Sequence, residues 1–484
     1  MITQPNGLGV LATHVGVVLG ALLLAAGCPT GDGGEPPTPD PTDDRQADHP
    51  CNDVWGPVPD AGRLYVAADA SEDGDGSLDN PFDTVDAALA AARPGGARSI
   101  AIASGDYEGT YLLSNDVDDW SDTGLEITGC GRQSTMISGV IVEVGVGGGG
   151  TEMRLQPVFD ITGDTTADVL VRDLGALGGR RSIIVRDGAG ALGPIVFQRV
   201  DVLDAIRLGV LIDGATTVAH LLDVVVEEVA AELGSFGWGV SIQTGQQLAS
   251  EFANPVVLEG LEVRDVRGIG ILADGAFLDL RGALVTGVQP NSDGRLGRGL
   301  QIQRWSQATL DGLEAIANSD AAVFLESPGR AQYVVDEDGD PVMDGDDNPI
   351  IERVEPIRLL NSFLGDTSAA PLPDGGETTG DGLVATQFAD GGLGQPAQAF
   401  QVVIDGTEIA GNPRSQVLAE AVTAIMGSNS IFSKGTAYPV VAQNGAIIEG
   451  LNGGAPPPDS VELGAGEALG IDALPVDLDD PGSD

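Results

Sequence analysis

The sequence predicts an all-β chain wound into a parallel β-helix, and three observations predict it. A nine-residue apolar frame recurs at distant places in the chain. A second, shorter strand series follows it at a steady interval. At 484 residues the chain is too long for one ordinary core but suits an elongated repeat whose core grows with each coil.

The frame is clearest in LDGLEAIAN (310–318) and IDGTEIAGN (404–412), which share Asp, Gly, Glu and a terminal Asn at the same four offsets. LEGLEVRDV (258–266), VRDLGALGG from 171, FQRVDVLDA from 197, LLDVVVEEV from 221 and LRGALVTGV from 280 fit it too. Read as strand, bend and second strand, the frame sends Leu258, Leu261 and Val263 inward, with Leu310, Leu313, Ala315 and Val171, Leu174, Ala176 as counterparts. The second series is GVLID (209–213), GVSIQ (239–243), GILAD (270–274), GLQIQ (299–303) and AVFLE (322–326). Its members start 23 to 31 residues apart, a span suited to one coil. A propeller would need about 40 residues and four strands per blade. Stability should come from stacking, because no coil buries its apolar face alone.

A solenoid needs ends that do not recruit further strands. PFDTVDAALAAA (81–92) places Val85, Ala88, Leu89 and Ala92 at helical spacing, with Pro94, Gly95 and Gly96 stopping the run, and is expected to form an N-terminal capping helix. Residues 64–107, with Tyr65-Val66, an Asp/Gly/Ser turn, Pro81-Phe82, Thr84-Val85, the alanine-rich helix and Gly105-Asp106-Tyr107, resemble the opening of bacterial right-handed parallel β-helix proteins of the pectate-lyase-like superfamily. The resemblance covers under a tenth of the chain. It implies a right-handed coil, and it brings polysaccharide lyases and glycoside hydrolases into view. Superfamily members use calcium-bound carboxylates with an Arg or Lys base, or aspartates beside a His motif; neither set can be placed here.

Interruptions are expected where residues turn polar. GVGGGG (145–150) reads as a flexible loop, 366–382 as a longer one, and 333–354 as a hairpin insertion. The solenoid is expected over 51–451, followed by an acidic low-complexity tail at 452–484 with no packing pattern. Within the insertion, Asp344, Asp346, Asp347, Asn348 and Glu355 concentrate oxygen ligands suited to calcium, although Pro349 stands where an EF-hand loop needs Gly; a solvated acidic turn is the other reading.

Export is predicted from VGVVLGALLLAAG (15–27), too short for a comfortable span and ending in small residues, so 1–27 is read as a signal peptide. Leu24, Ala25, Ala26, Gly27 and Cys28 resemble the bacterial lipobox. The resemblance implies a lipid on Cys28, a membrane partner through that anchor, and a place in the cell envelope, the outer membrane first. The leader carries no Lys or Arg, and an ordinary cleaved signal with an incidental cysteine stays open. Residues 28–50, rich in Pro, Asp and Thr, read as a disordered linker. Cys51 and Cys130 then remain as an even pair in an oxidising compartment and are expected to bond; two buried thiols are the alternative.

Charge narrows the partners. A net charge of −50, from 73 acidic against 23 basic residues, repels phosphate backbones, so nucleic acid is excluded. Lys434 is the single lysine beside 22 arginines, and three histidines leave little for a His-based metal site or triad. The outward ends of the second series form a row, Asp213, Gln243, Asp274, Gln303 and Glu326. Asp274 and Glu326 would stand two rungs, roughly 9–10 Å, apart, near the upper limit for inverting glycosidases. A solvated face explains the row equally well. Trp238 and Trp305 are the candidates for stacking on sugar, or for packing in a coil corner; aromatics make up 4% of the chain. The reading is a non-enzymatic, lipid-anchored envelope protein presenting an acidic surface, with polysaccharide or an envelope component as partner. The alternative is a polysaccharide lyase or glycoside hydrolase using Asp213, Asp274 and Glu326.

Overall fold

The computed structural model describes residues 51–471 apart from loop segments, the longest being 115–123, 246–253, 370–379 and 388–399. The chain divides into two units, Met1–Arg45 and Gln46–Asp484, and only the second holds described residues. The leader, Cys28 and the whole linker lie outside the described residues. No helix among the described residues is long and apolar enough to cross a membrane.

The architecture is all-β, with long parallel sheets of 22 and 12 strands in the solenoid-like arrangement that the repeats require. In the larger sheet the inward position of the frame stacks as Leu258, Leu280, Leu310, Leu359 and Ile404. Beyond the bend it stacks as Val226, Val263, Val285, Ala315, Leu364 and Ile409. In the smaller sheet Ile212, Ile242, Ala273, Ile302, Leu325, Ala385, Ala419 and Ala442 form the facing column. These three columns meet in one continuous apolar core that begins near Val66 and runs to Val440.

Corners decide the shape of each coil. The third residue of every frame has a positive φ: Asp173, Arg199, Asp223, Gly260, Gly282, Gly312, Asn361 and Gly406. The eighth does so as well, through Gly178, Asp204, Glu228, Asp265, Gly287, Ala317, Asp366 and Gly411. Left-handed residues five apart bend the strand twice, and Gly, Asp and Asn adopt that conformation at least cost. Arg199, which lacks that ease, forks onto Asp173 in the preceding coil at 2.6 Å through both Nε and Nη2.

The terminal Asn of the frame has a backbone task. Asn318 is fully buried; its Oδ1 accepts from Val288 N at 3.2 Å and its Nδ2 donates to Val285 O at 3.4 Å, both on the preceding coil. Asn412 repeats this one end further on, accepting from Thr367 N and donating to Leu364 O. A side-chain amide thus satisfies corner groups that the parallel ladder leaves unpaired. Glycine at the start of the second series has a steric cause. A Cβ at Gly270 would lie 2.4 Å from Val285 Cγ1 and 2.5 Å from Gly299 O.

The first coil is fastened by several means. Helix α1 (Asn52–Trp55) buries Trp55 against Tyr65 at 5.6 Å, and Cys51 is bonded to Cys130 across 79 residues of sequence. Arg63 donates to the carbonyls of Trp55, Gly56 and Pro57, and Arg172 donates to Val54 O. Closing a loop of that length removes denatured-state entropy worth roughly 4 kcal/mol. Helix α2 (Val85–Ala92) sinks Val85, Ala88, Leu89 and Ala92 into the core, with Thr84 Oγ1 accepting from Ala87 N at its start.

Two segments differ from expectation, and the insertion between them pairs as the expected hairpin. Gly145, Val146 and Gly150 belong to a β-hairpin, Ile141–Val146 with Gly150–Leu155, because the flanking Ile, Val and Leu positions pair across it. The insertion has an antiparallel pair, Ala331–Tyr333 with Ile351–Arg353. Ser460–Leu463 adds a strand parallel to Tyr438–Gln443, so the smaller sheet continues past 451 into the segment read as an unpacked tail.

Substitutions at two glycines separate corner conformation from close approach. A methyl group at Gly282 (φ +60) meets nothing within 4 Å. G282A should therefore cost only the left-handed penalty, about 1–2 kcal/mol, and G282N less. G270L, which must displace a neighbouring carbonyl, should cost about 3 kcal/mol. Denaturant midpoints of the three variants check this order.

Candidate functional site

The outer face of the smaller sheet carries the polar row, and its register is continuous: Asp213, Gln243, Asp274, Gln303, Glu326, Thr386, Glu420 and Gln443 occupy successive rungs. With about 4.8 Å per rung, Asp274 and Glu326 stand roughly 9–10 Å apart, with Gln303 between.

The row is covered rather than solvated. Asp274 is 6% and Glu326 7% exposed, while Asp213 is half-buried. Part of the cover comes from the chain's own C-terminal segment. Gln443 exchanges hydrogen bonds with the backbone of Leu469, at 3.0 Å from its Nε2 and 2.8 Å to its Oε1. Ile471 packs onto Ala321, Phe324 and Val384, the outward apolar residues beside Glu326 and Thr386. Apolar residues on an outer sheet face need such a partner, and these hold the segment against that face beside the row.

Burial sets the electrostatics. Desolvation pushes the Asp274 carboxyl up to about 6, against the pull of Arg304 at 3.4 Å and of Gln303. It pushes Glu326 up to about 7, opposed by the Arg298 and Arg304 guanidinium groups and reinforced by Asp274. Asp213 is raised for the same first reason. Glu326 Oε2 has no hydrogen-bond partner among the described residues. Near neutral pH, then, one member of the pair readily holds a proton while the other gives it up, the division of labour that acid–base catalysis between two carboxyls requires.

Behind the pair lies a polar network that the sequence did not announce. Arg298, 1% exposed, bonds Asp320 Oδ2 through Nε at 2.9 Å and Gln301 Oε1 through Nη1 at 2.9 Å, and its guanidinium lies 3.5 Å from the Phe324 ring centroid. Gln301 Nε2 in turn donates to Gln303 Oε1 at 2.7 Å. The chain Asp320–Arg298–Gln301–Gln303 fixes the rotamer of the residue between the two carboxyls. An Arg opening one strand of the second series and an Asp closing the next corner were its only sequence signal.

Other candidate residues are not brought to this row. Trp238 is fully buried and stacked on Phe236 at 3.8 Å, within a cluster of Ile184, Leu208, Leu211, Ile269 and Leu272. Trp305 is 6% exposed in a left-handed corner. Neither ring offers sugar a face here: apolar packing takes the surface of Trp238, and Trp305 is almost wholly buried. Asp344, Asp346 and Asn348 lie outside the described residues, and Glu355 is exposed. Among the described residues no three His, Cys, Asp or Glu side chains converge as a metal site.

No family model matches the chain, and no curated protein does. Solved structures that it resembles include the A-module of a mannuronan C-5 epimerase from Azotobacter vinelandii, at 14% identity over 79% of this chain and 93% of that one, with a TM-score of 0.38. The catalytic unit of a GH87 α-1,3-glucanase from Streptomyces thermodiastaticus matches at 16% identity over 85% and 70%, with a TM-score of 0.39. Pectate lyase Pel9A matches at 12% over 84% and 81%, with a TM-score of 0.30.

The raised carboxyls make stability fall with rising pH. In the unfolded chain Glu326 loses its proton near its ordinary value of 4.5, whereas in the fold it keeps it to about 7. Between these values the native state binds the extra proton, so stability drops across that window and levels off above it. Asp274 does the same between 3.8 and about 6. E326Q, which cannot ionise, should gain on the order of 3 kcal/mol over the parent at pH 8 and little at pH 4, read from urea midpoints at the two pH values.

Proposed function

We propose that this chain is a lipid-anchored cell-envelope protein that hydrolyses an extracellular polysaccharide along the outer face of the smaller sheet, with Asp274 and Glu326 as its acid–base pair. Lipid on Cys28, right-handed winding and capping of the first rung by α2 belong to the same reading. The observation that carries it is the pair itself: two carboxyls in one ladder, roughly two rungs apart, raised by burial to about 6 and about 7.

In this reading Glu326, the weaker acid, protonates the glycosidic oxygen. Asp274, ionised and held by Arg304 at 3.4 Å, takes a proton from the attacking water. A separation near the upper end of the 6.5–9.5 Å range leaves room for that water and favours inversion. A glycan following the row toward Gln443 must displace the segment around Leu469 and Ile471. The burial of the pair supports a second reading, a glycan-binding scaffold without catalysis, since both carboxyls are under a tenth exposed.

A panel of neutral and acidic polysaccharides, scored for cleavage and for binding, separates the two. Hydrolysis should appear against at least one glycan, increase on deletion of residues 464–484, and fall by roughly 10²–10⁴ in both D274N and E326Q while binding persists. Binding without cleavage, unchanged in these variants and in the deletion, leaves the scaffold reading.

A further inference from the structure

Beside the polar row runs a second outward column of the smaller sheet, with Leu211, Ser241, Leu272, Gln301, Phe324 and Val384 on successive rungs. This stretch is buried throughout, and it is apolar except at Ser241 and Gln301. A buried amide between Leu272 and Phe324 is costly unless it is hydrogen-bonded. Gln301 is bonded at both ends: its Oε1 accepts from Arg298 Nη1 at 2.9 Å, and its Nε2 donates to Gln303 Oε1 at 2.7 Å. Packing does not call for an amide in this column; its neighbour in the row does.

The relay runs one way. A guanidinium has donors and no acceptor, so Arg298 must meet the carbonyl end of Gln301. Gln301 is left to give its NH₂ end to Gln303, which receives it on Oε1. The remaining end of Gln303 is the donor Nε2, buried and without a hydrogen-bond partner among the described residues. Arg298 is itself held by Asp320 Oδ2, at 2.9 Å from its Nε, and by the Phe324 ring. Gln243, on the other side of Asp274 in the row, lacks this constraint: its Nε2 donates to Ser241 Oγ at 2.6 Å, and a hydroxyl can serve either end of an amide.

The carboxyls on the two rungs flanking Gln303 are unequally supplied with donors. Burial raises both. Asp274, on the preceding rung, is opposed in this by Arg304 Nε at 3.4 Å and by Gln303. Glu326, on the following rung, keeps Oε2 without a partner among the described residues; Arg298 and Arg304 lower its proton affinity and Asp274 raises it, while Gln303 is not among the groups that act on it. Gln243 and Thr386, the next residues along the row, are uncharged, and Asp213 and Glu420 lie one rung beyond them.

We propose that Gln303, aimed by this one-way relay, is the positioning residue that decides where the proton of the pair resides: its N–H end holds Asp274 ionised, as base, and leaves the proton on Glu326, as acid. The names acid and base rest on the proposed hydrolysis; the place of the proton does not. An N–H donor favours an ionised oxygen over a protonated one, and the preference grows where little water competes. The reverse orientation would turn the amide carbonyl toward the pair and favour a protonated partner. Arg298, at the start of the same strand, forbids it.

Stability against pH reads the proton on each carboxyl without any substrate. Urea midpoints of the full chain and D274N are compared across the pH range, and again for Q303M and Q303M/D274N. Because Asp274 is raised in the fold, its contribution falls as pH rises and levels off above about 6 in the parent. With Q303M that levelling should move upward by about one pH unit. The matching pairs made with E326Q should show Glu326 levelling lower, since a protonated Asp274 no longer repels its charge. Q301L, which frees Gln303 to turn, should give the same directions with a smaller shift. A merely structural role would move both carboxyls the same way, so a common shift, or none, in folded Q303M overturns the proposal. Neutron diffraction from the unaltered, deuterated chain, at a pH between the two levelling points, needs no variant. It should show the Gln303 N–D end toward Asp274 and a deuteron on Glu326 alone; a deuteron on Asp274, or the carbonyl turned toward it, overturns the assignment. In the hydrolysis assay the acid limb of the pH profile should move upward with Asp274 in Q303M. Absence of cleavage overturns the hydrolysis alone, because the stability and diffraction results are read without it.

Discussion

Each coil of this chain can bury its inward side chains only against the coil on either side, so everything else depends on register between rungs. A shift of one residue would send the Leu258–Leu280–Leu310 column outward and bring Glu259, Arg281 and Asp311 into the core. Side-chain alternation alone does not hold register over a stack this long. Left-handed corners five residues apart supply the missing constraint, since they fix where each strand ends and the next begins.

The corners also explain where polar side chains are admitted to the interior. Asn318 and Asn412 sit fully or almost fully buried because backbone groups at the bends lack ladder partners, and an amide supplies both donor and acceptor. Asp381 is buried on the same logic, accepting from Arg414 Nε at 3.0 Å and from Ser415 N at 3.1 Å. Glu326 differs. It has a buried oxygen without a partner among the described residues, and its proton affinity rises accordingly. Within one ladder, a satisfied carboxylate is structural and an unsatisfied one is chemically poised.

Acidity, the property that dominates the composition, turns out to be unevenly placed. Asp274 and Glu326 are buried within the polar row, its far end at Gln443 is bonded to the C-terminal segment, and four of the arginines line one hollow a few coils away. The face expected to present open carboxylates to solvent instead holds two covered, proton-retaining acids, Asp274 and Glu326.

The inward register was legible residue by residue, because burial imposes a period of two on each strand and a repeat on each coil. The helix over Val85–Ala92 and the cysteine pair could be read for similarly local reasons, spacing in one case and parity in the other. The row Asp213, Asp274, Glu326 could be listed from the sequence, but not whether water reaches it. Burial of Asp274 and Glu326 is a tertiary outcome, and on the same face Leu469 and Ile471, more than a hundred residues away from Glu326, fold back onto Gln443 and Phe324. Trp238 and Arg298 were decided in the same way, by neighbours contributed from other coils. Periodicity reports which side of a strand is apolar; desolvation depends on what lies over that side, and only tertiary contact determines it.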